Sequence, residues 1–338
     1  MVLLEQANQI LEKISILDGN ITPVSLHDYP LFQRFFDKEE RHTHGNAWTY
    51  VTQGVYGLGP HNLGYKYYDG ENLSITGVYP KVDFPEQLVM YWIRPMGPKI
   101  MDIILDKAAH VVQKFGIFTY VKKIFKEEFD YLRTRGFHDV SHFPWHAISP
   151  QEDDTYPELI FEVAETCRSL QESPNRTSIR QTAKKATQLA KKNETIFIEE
   201  EAYDNYTAAW NITLSFFSMD SIVKYKKNLS NPNDYHNPIF NNPARTTKLL
   251  RTLHVDKKPS GFYLYEQNTP TYSSAYALLS LRDDIRDANE LLFTDLFHRV
   301  STKFLNLGGS ENKGIHHFKL KFKVAKTQQM YWATNYSR

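Results

Sequence analysis

At 338 residues the chain is long for one domain and sufficient for two, each able to bury its own core. Hydrophobic residues at 41% and charged residues at 23% describe an ordinary globular protein, and a formal net charge of +1 excludes a globally basic nucleic-acid coat while leaving room for a local patch. The single cysteine, Cys167, excludes an intramolecular disulfide and a cysteine-ligated structural zinc site.

The N-terminal segment carries Glu5 and Glu12 at helical spacing, so residues 2–16 are expected to form an amphipathic helix rather than a signal peptide. A second helix is predicted over 26–40. No uncharged run approaches the roughly 20 residues that cross a bilayer, and the chain is expected to be cytoplasmic. Short aromatic and β-branched runs then predict strands at Ala47–Tyr56, Leu63–Tyr68, Leu73–Val78 and Gln87–Ile93. The Asp69-Gly70-Glu71-Asn72 turn makes the middle pair a hairpin. In Pro98–Phe115 the apolar residues Ile100, Ile103, Ile104, Ala108, Val111 and Phe115 fall on one helical stripe, opened by Pro98 and closed by Gly116. A buried strand (Ile117–Val121) and a helix (Lys126–Arg135) complete this half.

The second half repeats that order. Helices are predicted at about 177–193, 203–217, 219–229 and 243–254, with a strand at Thr195–Glu200. Strands at Gly261–Glu266 and Tyr272–Leu281 follow, then a helix over Asp287–Lys303, a strand at Phe304–Leu307, a helix over Lys313–Phe322 and a last strand at Gln328–Thr334. The fold class expected is mixed α/β, with a mixed central sheet flanked by helices in each of two tandem units. The polar segment AISPQEDDTY places the boundary near residue 150, giving units 1–150 and 151–338.

Two stretches resemble a known family. The run Phe304-Leu305-Asn306-Leu307-Gly308-Gly309-Ser310-Glu311-Asn312-Lys313, continuing through Lys319 to Phe322, is similar to the closing signature of the phosphatidylglycerol lysyltransferase C-terminal-like family. The basic helix Arg180 to Lys192, directly followed by the strand at 195–200, resembles the layout of that family and of Fem-type peptidoglycan aminoacyltransferases. The resemblance implies two tandem GNAT-type domains, the first degenerate and the second carrying the site. It also implies transfer of an acyl or aminoacyl group, often from a charged tRNA, to a soluble amine or hydroxyl acceptor. Acyl-CoA-dependent N-acylation and non-catalytic binding on the same scaffold are the competing expectations.

For the donor, Arg176, Arg180, Lys184, Lys185, Lys191 and Lys192 concentrate positive charge, with Arg180, Lys184 and Lys191 on one helical face; a phosphate-rich carrier is attracted to such a face. The bland alternative is a solvated helix balanced by Glu199-Glu200-Glu201. GNAT enzymes that use acyl-CoA have a Gly-rich loop before the central helix. Here Arg282-Asp283-Asp284-Ile285-Arg286-Asp287 contains no glycine, and Arg94-Pro95-Met96-Gly97-Pro98 matches in part only, since Pro removes an N–H. That favours tRNA over coenzyme A as carrier, with Arg282 and Arg286 as phosphate candidates or partners of the neighbouring aspartates. Around the expected cleft, Glu311 is a candidate base or ammonium holder, Lys319 a partner for phosphate or oxyanion, and Asn306 a polar wall. The structural alternative makes Glu311 a helix cap and Lys319 a surface charge. His138, His142 and His146 recur every four residues, but Pro144 breaks the helix that would align them, so no metal site is expected. Hydrolase elbows, dinucleotide loops and Walker loops are absent.

Overall fold

In the computed structural model the described residues are 2–39, 41–43, 64–80, 87–139, 156–172, 178–198, 203–218, 250–281, 287–310 and 313–336. They divide into two compact units, one comprising Met1–Pro157 with Gln329–Arg338, the other Glu158–Gln328.

In the first unit, α1 (Val2–Leu17), β1 (Ile21–Pro23), a 3-10 turn (Leu26–Asp28) and α2 (Tyr29–Lys38) precede strands β2 (Tyr65–Tyr68), β3 (Leu73–Pro80) and β4 (Leu88–Met96). Asp69 Oδ1 accepts the N–H groups of Glu71 (3.0 Å) and Asn72 (2.8 Å), which closes the predicted β2–β3 hairpin. Of the expected stripe, helix α3 (Ile100–Phe115) buries Ile100, Ile104, Ala108 and Val111, while Ile103 and Phe115 are half-buried at its margin. It ends at Gly116, whose φ of 67° suits a residue without Cβ and whose N–H bonds Val112 O. Then come β5 (Phe118–Ile124), α4 (Lys126–Arg133) and β6 (His138–Asp139). Every residue of β4 is buried. Met90 and Trp92 pack with α1 and α3, while Val89, Tyr91 and Ile93 pack with Phe32 and Phe36 of α2. Alternation thus serves two apolar layers, as in a sheet covered on both faces.

The second unit contains β7 (Glu158–Glu162), α5 (Val163–Glu172), α6 (Ser178–Lys192), β8 (Thr195–Ile198), α7 (Tyr203–Ser218), β9 (Leu250–Val255), β10 (Lys258–Gln267), β11 (Tyr272–Ser280), α8 (Ala288–Arg299), β12 (Phe304–Asn306), α9 (Lys313–Lys319) and β13 (Val324–Gln328). A last strand, β14 (Tyr331–Thr334), belongs to the first unit. Leu292, Leu296 and Phe297 of α8 pack with Leu170 of α5 and Leu189 of α6 in the main core. Ala209 and Ile212 of α7 meet Phe262 and Leu264 in a smaller core.

The two sheets have the same plan. Their orders are β1-β2-β3-β4-β5-β14-β6 and, read from the matching end, β8-β9-β10-β11-β12-β7-β13. In each, the fourth and fifth strands are parallel and linked through a helix, and the other pairings are antiparallel. The sixth position is filled by exchange. The strand following β6 pairs in the second sheet, as β7, and the strand following β13 pairs in the first, as β14.

Several expectations change. Residues 151–338 do not all belong to the second unit, because Gln329–Arg338 join the first. The single strand expected at Gln328–Thr334 is the end of β13 plus β14, in different sheets. The helix expected over 243–254 is overturned at its end: Leu250–Val255 pairs with β10 and β8. Leu250 and Leu253 mimic a helical repeat, but Asp256 and Lys257, at φ 49° and 66°, form a tight turn that folds β9 onto β10. Strand β7 and helix α5 were not anticipated. The runs at 47–56 and 219–229 lie outside the described residues.

Candidate functional site

The site is built where the parallel strands of the second unit part. β11 and β12 pair only at Tyr272↔Phe304, Ser273↔Leu305 and Ser274↔Asn306. Beyond that point β11 continues to Ser280 beside β10, and a register shift between Leu264/Ala277 and Tyr265/Ala275 leaves Tyr276 as an extra residue. A bulge of this kind bends its strand, here at the place where the neighbouring strand leaves the ladder.

On the β12 side, buried Asn306 ties two elements together. Its Nδ2 donates to Glu158 Oε2 at 2.9 Å, and its Oδ1 accepts the N–H of Gly308 at 2.8 Å. The residues after it remain buried, with Gly308 at φ 66° allowing the turn. Lys319 Nζ donates to Leu307 O at 2.7 Å and also to Gly309 O, so α9 is clipped over the 307–309 run. Next in line, Ser310 is 1% exposed, and its Oγ has no hydrogen-bond partner among the described residues. A buried hydroxyl without a partner carries a desolvation cost. A hydroxyl can donate to an acceptor that a ligand brings. Across the opening, Ser274 Oγ accepts from Asn268 Nδ2 at 2.7 Å, and Ser273 Oγ accepts from Thr302 at 2.9 Å.

The residues expected at the donor side separate. Arg180 Nη1 donates to Leu170 O (3.2 Å) and Gln171 O (2.8 Å), the carbonyls near the end of α5. Lys185 Nζ lies 3.2 Å from Asp287 and 3.5 Å from Glu290 at the start of α8. Lys184, Lys191 and Lys192 are exposed along α6. Arg176, Arg282, Arg286 and Glu311 lie outside the described residues. Thus Asn306 and Lys319 come together around 306–310, whereas Arg180 and Lys185 hold helices. A cavity of about 830 Å³ lies at the end of β11, lined by Gln188, Lys192, Asn193, Lys258, Ser260 and Asp287 among others.

The corresponding place in the first unit is charged. Arg94, Lys122 and Lys123 are 1%, 0% and 2% exposed. Arg94 Nη2 bonds Glu39 Oε2 at 2.5 Å, and Arg94 and Arg41 lie over the Phe125 ring at 4.9 and 3.7 Å. Glu128 accepts the N–H of Phe125 at 2.7 Å; burial pushes its carboxyl up, against the pull of Arg94. The Gly97 loop is not free to cradle a diphosphate: Lys99 N–H already donates to Asn72 Oδ1 at 2.9 Å, and a Cβ on Gly97 would come within 2.6 Å of that oxygen.

Sequence reading singled out Arg94 but missed Glu158, any role for Ser310, and the buried Lys122 and Lys123 of the first unit. The detectable signals were a carboxylate opening the apolar run Leu159–Phe161, and two consecutive lysines inside the strand Phe118–Ile124. Cys167 donates to Phe297 O at 3.2 Å and burial pushes its thiol up, in keeping with a structural role. Among the described residues no group of three His, Cys, Asp or Glu is placed to hold a metal, and no helix is long and apolar enough to cross a membrane.

No family model and no curated protein sequence matches the chain. Solved structures do. A conserved protein of unknown function from Bacteroides thetaiotaomicron VPI-5482 superposes with a TM-score of 0.68 at 13% identity, covering 93% of this chain and 98% of its own. The C-terminal domain of a putative lysylphosphatidylglycerol synthetase from Agrobacterium fabrum gives 0.60 at 10%, covering 92% of each chain. A tandem GNAT protein from the clavulanic acid biosynthesis pathway gives 0.51 at 9%, covering 94% of this chain and 99% of its own. The chain has the tandem GNAT fold. The parallel β4–β5 and β11–β12 pairs are its two central strand pairs, and the opening beyond Ser274 and Asn306 is the parting of the second. At these identities the fold is what is shared, and the tandem GNAT scaffold hosts more than one chemistry.

Proposed function

We propose that the chain is an acyl-group transferase that works at the opening between β11 and β12, taking an aminoacyl group from charged tRNA and passing it to a soluble amine or hydroxyl. The observation that carries this reading is the buried Ser310 hydroxyl, which ends the 306–310 run leading away from the parting and has no hydrogen-bond partner among the described residues. The acyl carbonyl would lie in the opening and accept a hydrogen bond from Ser310. Asn306 and Lys319 act through the 307–309 backbone as positioning residues, and Glu311, next in sequence, is assigned the proton of the attacking group.

A tRNA carrier is favoured over coenzyme A by two features. The exposed Lys184, Lys191 and Lys192 suit a long phosphate backbone, and the Gly97 loop has its donor N–H engaged by Asn72. The Agrobacterium neighbour's description as a lysylphosphatidylglycerol synthetase fits aminoacyl chemistry on this fold. Coenzyme A remains the comparison arm of the test.

Binding of charged tRNA to the purified chain is measured against salt concentration. Lys184→Glu combined with Lys191→Glu is expected to weaken binding at least about ten-fold and to lower the slope of log K against log salt by about two. Lys185 is left alone because it holds α6 to α8. Unchanged affinity in the double variant, or transfer in lysate that survives ribonuclease and follows added acyl-CoA, would sink the tRNA reading.

A further inference from the structure

We propose that the cavity at the end of β11 binds a nucleoside monophosphate, at a site separate from the opening between β11 and β12. It stands whether or not the second unit transfers acyl groups. The cavity, of about 830 Å³, is far larger than a lone phosphate needs and falls in the size range of small-molecule pockets. Its described walls come from the end of α6, the turn between β9 and β10 and the start of α8. None comes from β12 or α9, which border the opening.

The lining has the parts that such a ligand calls for. Leu189, Val255 and Leu281 supply apolar surface for a base. Lys192 and Lys258 supply positive charge; both are exposed, and neither has an ion pair among the described residues. Asp287, also in the lining, is met by Lys185 at 3.2 Å and so does not cancel them. Asp256 Oδ1 accepts the Glu194 N–H at 2.9 Å, and its other oxygen has no hydrogen bond among the described residues, which suits a ribose hydroxyl. Two cations and a carboxylate in one cavity fit a molecule carrying both anionic oxygens and hydroxyl donors, whereas Asp256 would repel a bare phosphate. The walls are fixed by the fold itself. Asp256 N–H donates to Glu194 O at 2.8 Å, Leu281 N–H to Ser260 O at 2.9 Å and Asn193 Nδ2 to Leu189 O at 3.2 Å. Asp256 and Lys257 are held at φ 49° and 66° and carry a Cβ, so both are strained, as are Arg94 and Lys123 of the first unit at 47° and 56°. A hairpin that served only to turn the chain would use Asn-Gly there, with less strain.

The four ribonucleoside 5′-monophosphates, their nucleosides and inorganic phosphate are titrated separately into the full chain by calorimetry. At least one nucleotide is expected to bind saturably, with its nucleoside and inorganic phosphate each at least about ten-fold weaker, since each keeps only part of the contacts. Lys258→Met, at an exposed position, should weaken that nucleotide about ten-fold, the loss expected of one charge-assisted contact. Asp256→Asn, which suits left-handed backbone, should weaken the nucleotide and leave inorganic phosphate no weaker. Lys184→Glu with Lys191→Glu, and separately Ser310→Ala, should bind it as the parent does, so this site and the transferase reading fail in different variants. The proposal is overturned if no nucleotide binds saturably at millimolar concentration, or if inorganic phosphate binds as tightly as the nucleotide. It is overturned equally if Lys258→Met or Asp256→Asn binds normally, or if Ser310→Ala or the α6 variant is the one that loses the ligand.

Discussion

The two sheets part at the same place and are furnished differently. In the second unit the last paired residues, Ser274 and Asn306, are neutral, with Asn306 bonded to the buried Glu158 carboxylate and Lys319 spent on backbone carbonyls. In the first it is packed with Arg94, Lys122 and Lys123, beside Glu39, Glu128 and two aromatic rings. One plan therefore supports a neutral polar opening in one copy and a cationic, strained one in the other. Strand order sets where a site can be, and the side chains at the last paired residues set what it takes.

The exchange of the sixth strands gives the most drastic way to separate the copies. Ending the chain after Gln328 removes β14, and with it the buried Met330, Trp332 and Ala333 and the ladder that joins β5 to β6. The second unit keeps all seven of its own strands. Amide exchange is expected to show protection lost in β4 and β5 and retained in β10 and β11. Protection surviving throughout β4 and β5 would mean that β14 is a dispensable appendage of the first sheet.

A smaller effect is expected at the hinge of the neutral opening. Asn306→Ala takes a donor from Glu158, a carboxylate only 1% exposed, and leaves the Gly308 N–H without its acceptor. Two buried groups disturbed together should cost about 2–4 kcal/mol in urea unfolding. A loss under about 1 kcal/mol would show that Asn306 adds little to closing the 306–310 run.

Much of this was legible along the chain and some was not. Helix α3 and the β2–β3 hairpin follow from local signals, an apolar stripe with a left-handed Gly116 and an Asp69 turn, and both formed where expected. Helix α6 also formed, but its charge pattern misled. Spacing puts Arg180, Lys184 and Lys191 on one face, yet the long Arg180 side chain reaches the carbonyls of α5, and Lys185, one residue round, meets α8. Helical spacing reports direction and says nothing of which neighbour lies there. The destination of β14 was hidden for a related reason: its apolar residues specify a buried strand without naming a sheet. Leu250–Val255 read as helix because Leu250 and Leu253 fit either period, and the decision came from partners on both sides.

The smallest effect is the sharpest probe of the second opening. If Ser310 Oγ serves only packing, Ser310→Ala removes a buried hydroxyl that has no partner among the described residues, so the variant should be as stable as the parent or gain up to about 1 kcal/mol. If the hydroxyl meets the acyl carbonyl during transfer, the same variant should lose about ten- to a hundred-fold in kcat, with KM for the carrier little changed, because the contact tightens only as charge develops on the oxygen. A gain in stability joined to a loss in turnover is the pattern that a group kept for a ligand must produce. Lost stability would instead reveal a structural bond to Ser310, and unchanged turnover would move the chemistry away from residue 310. Either outcome would remove the contrast drawn with the first unit, where the strain is borne by cations rather than by a hydroxyl.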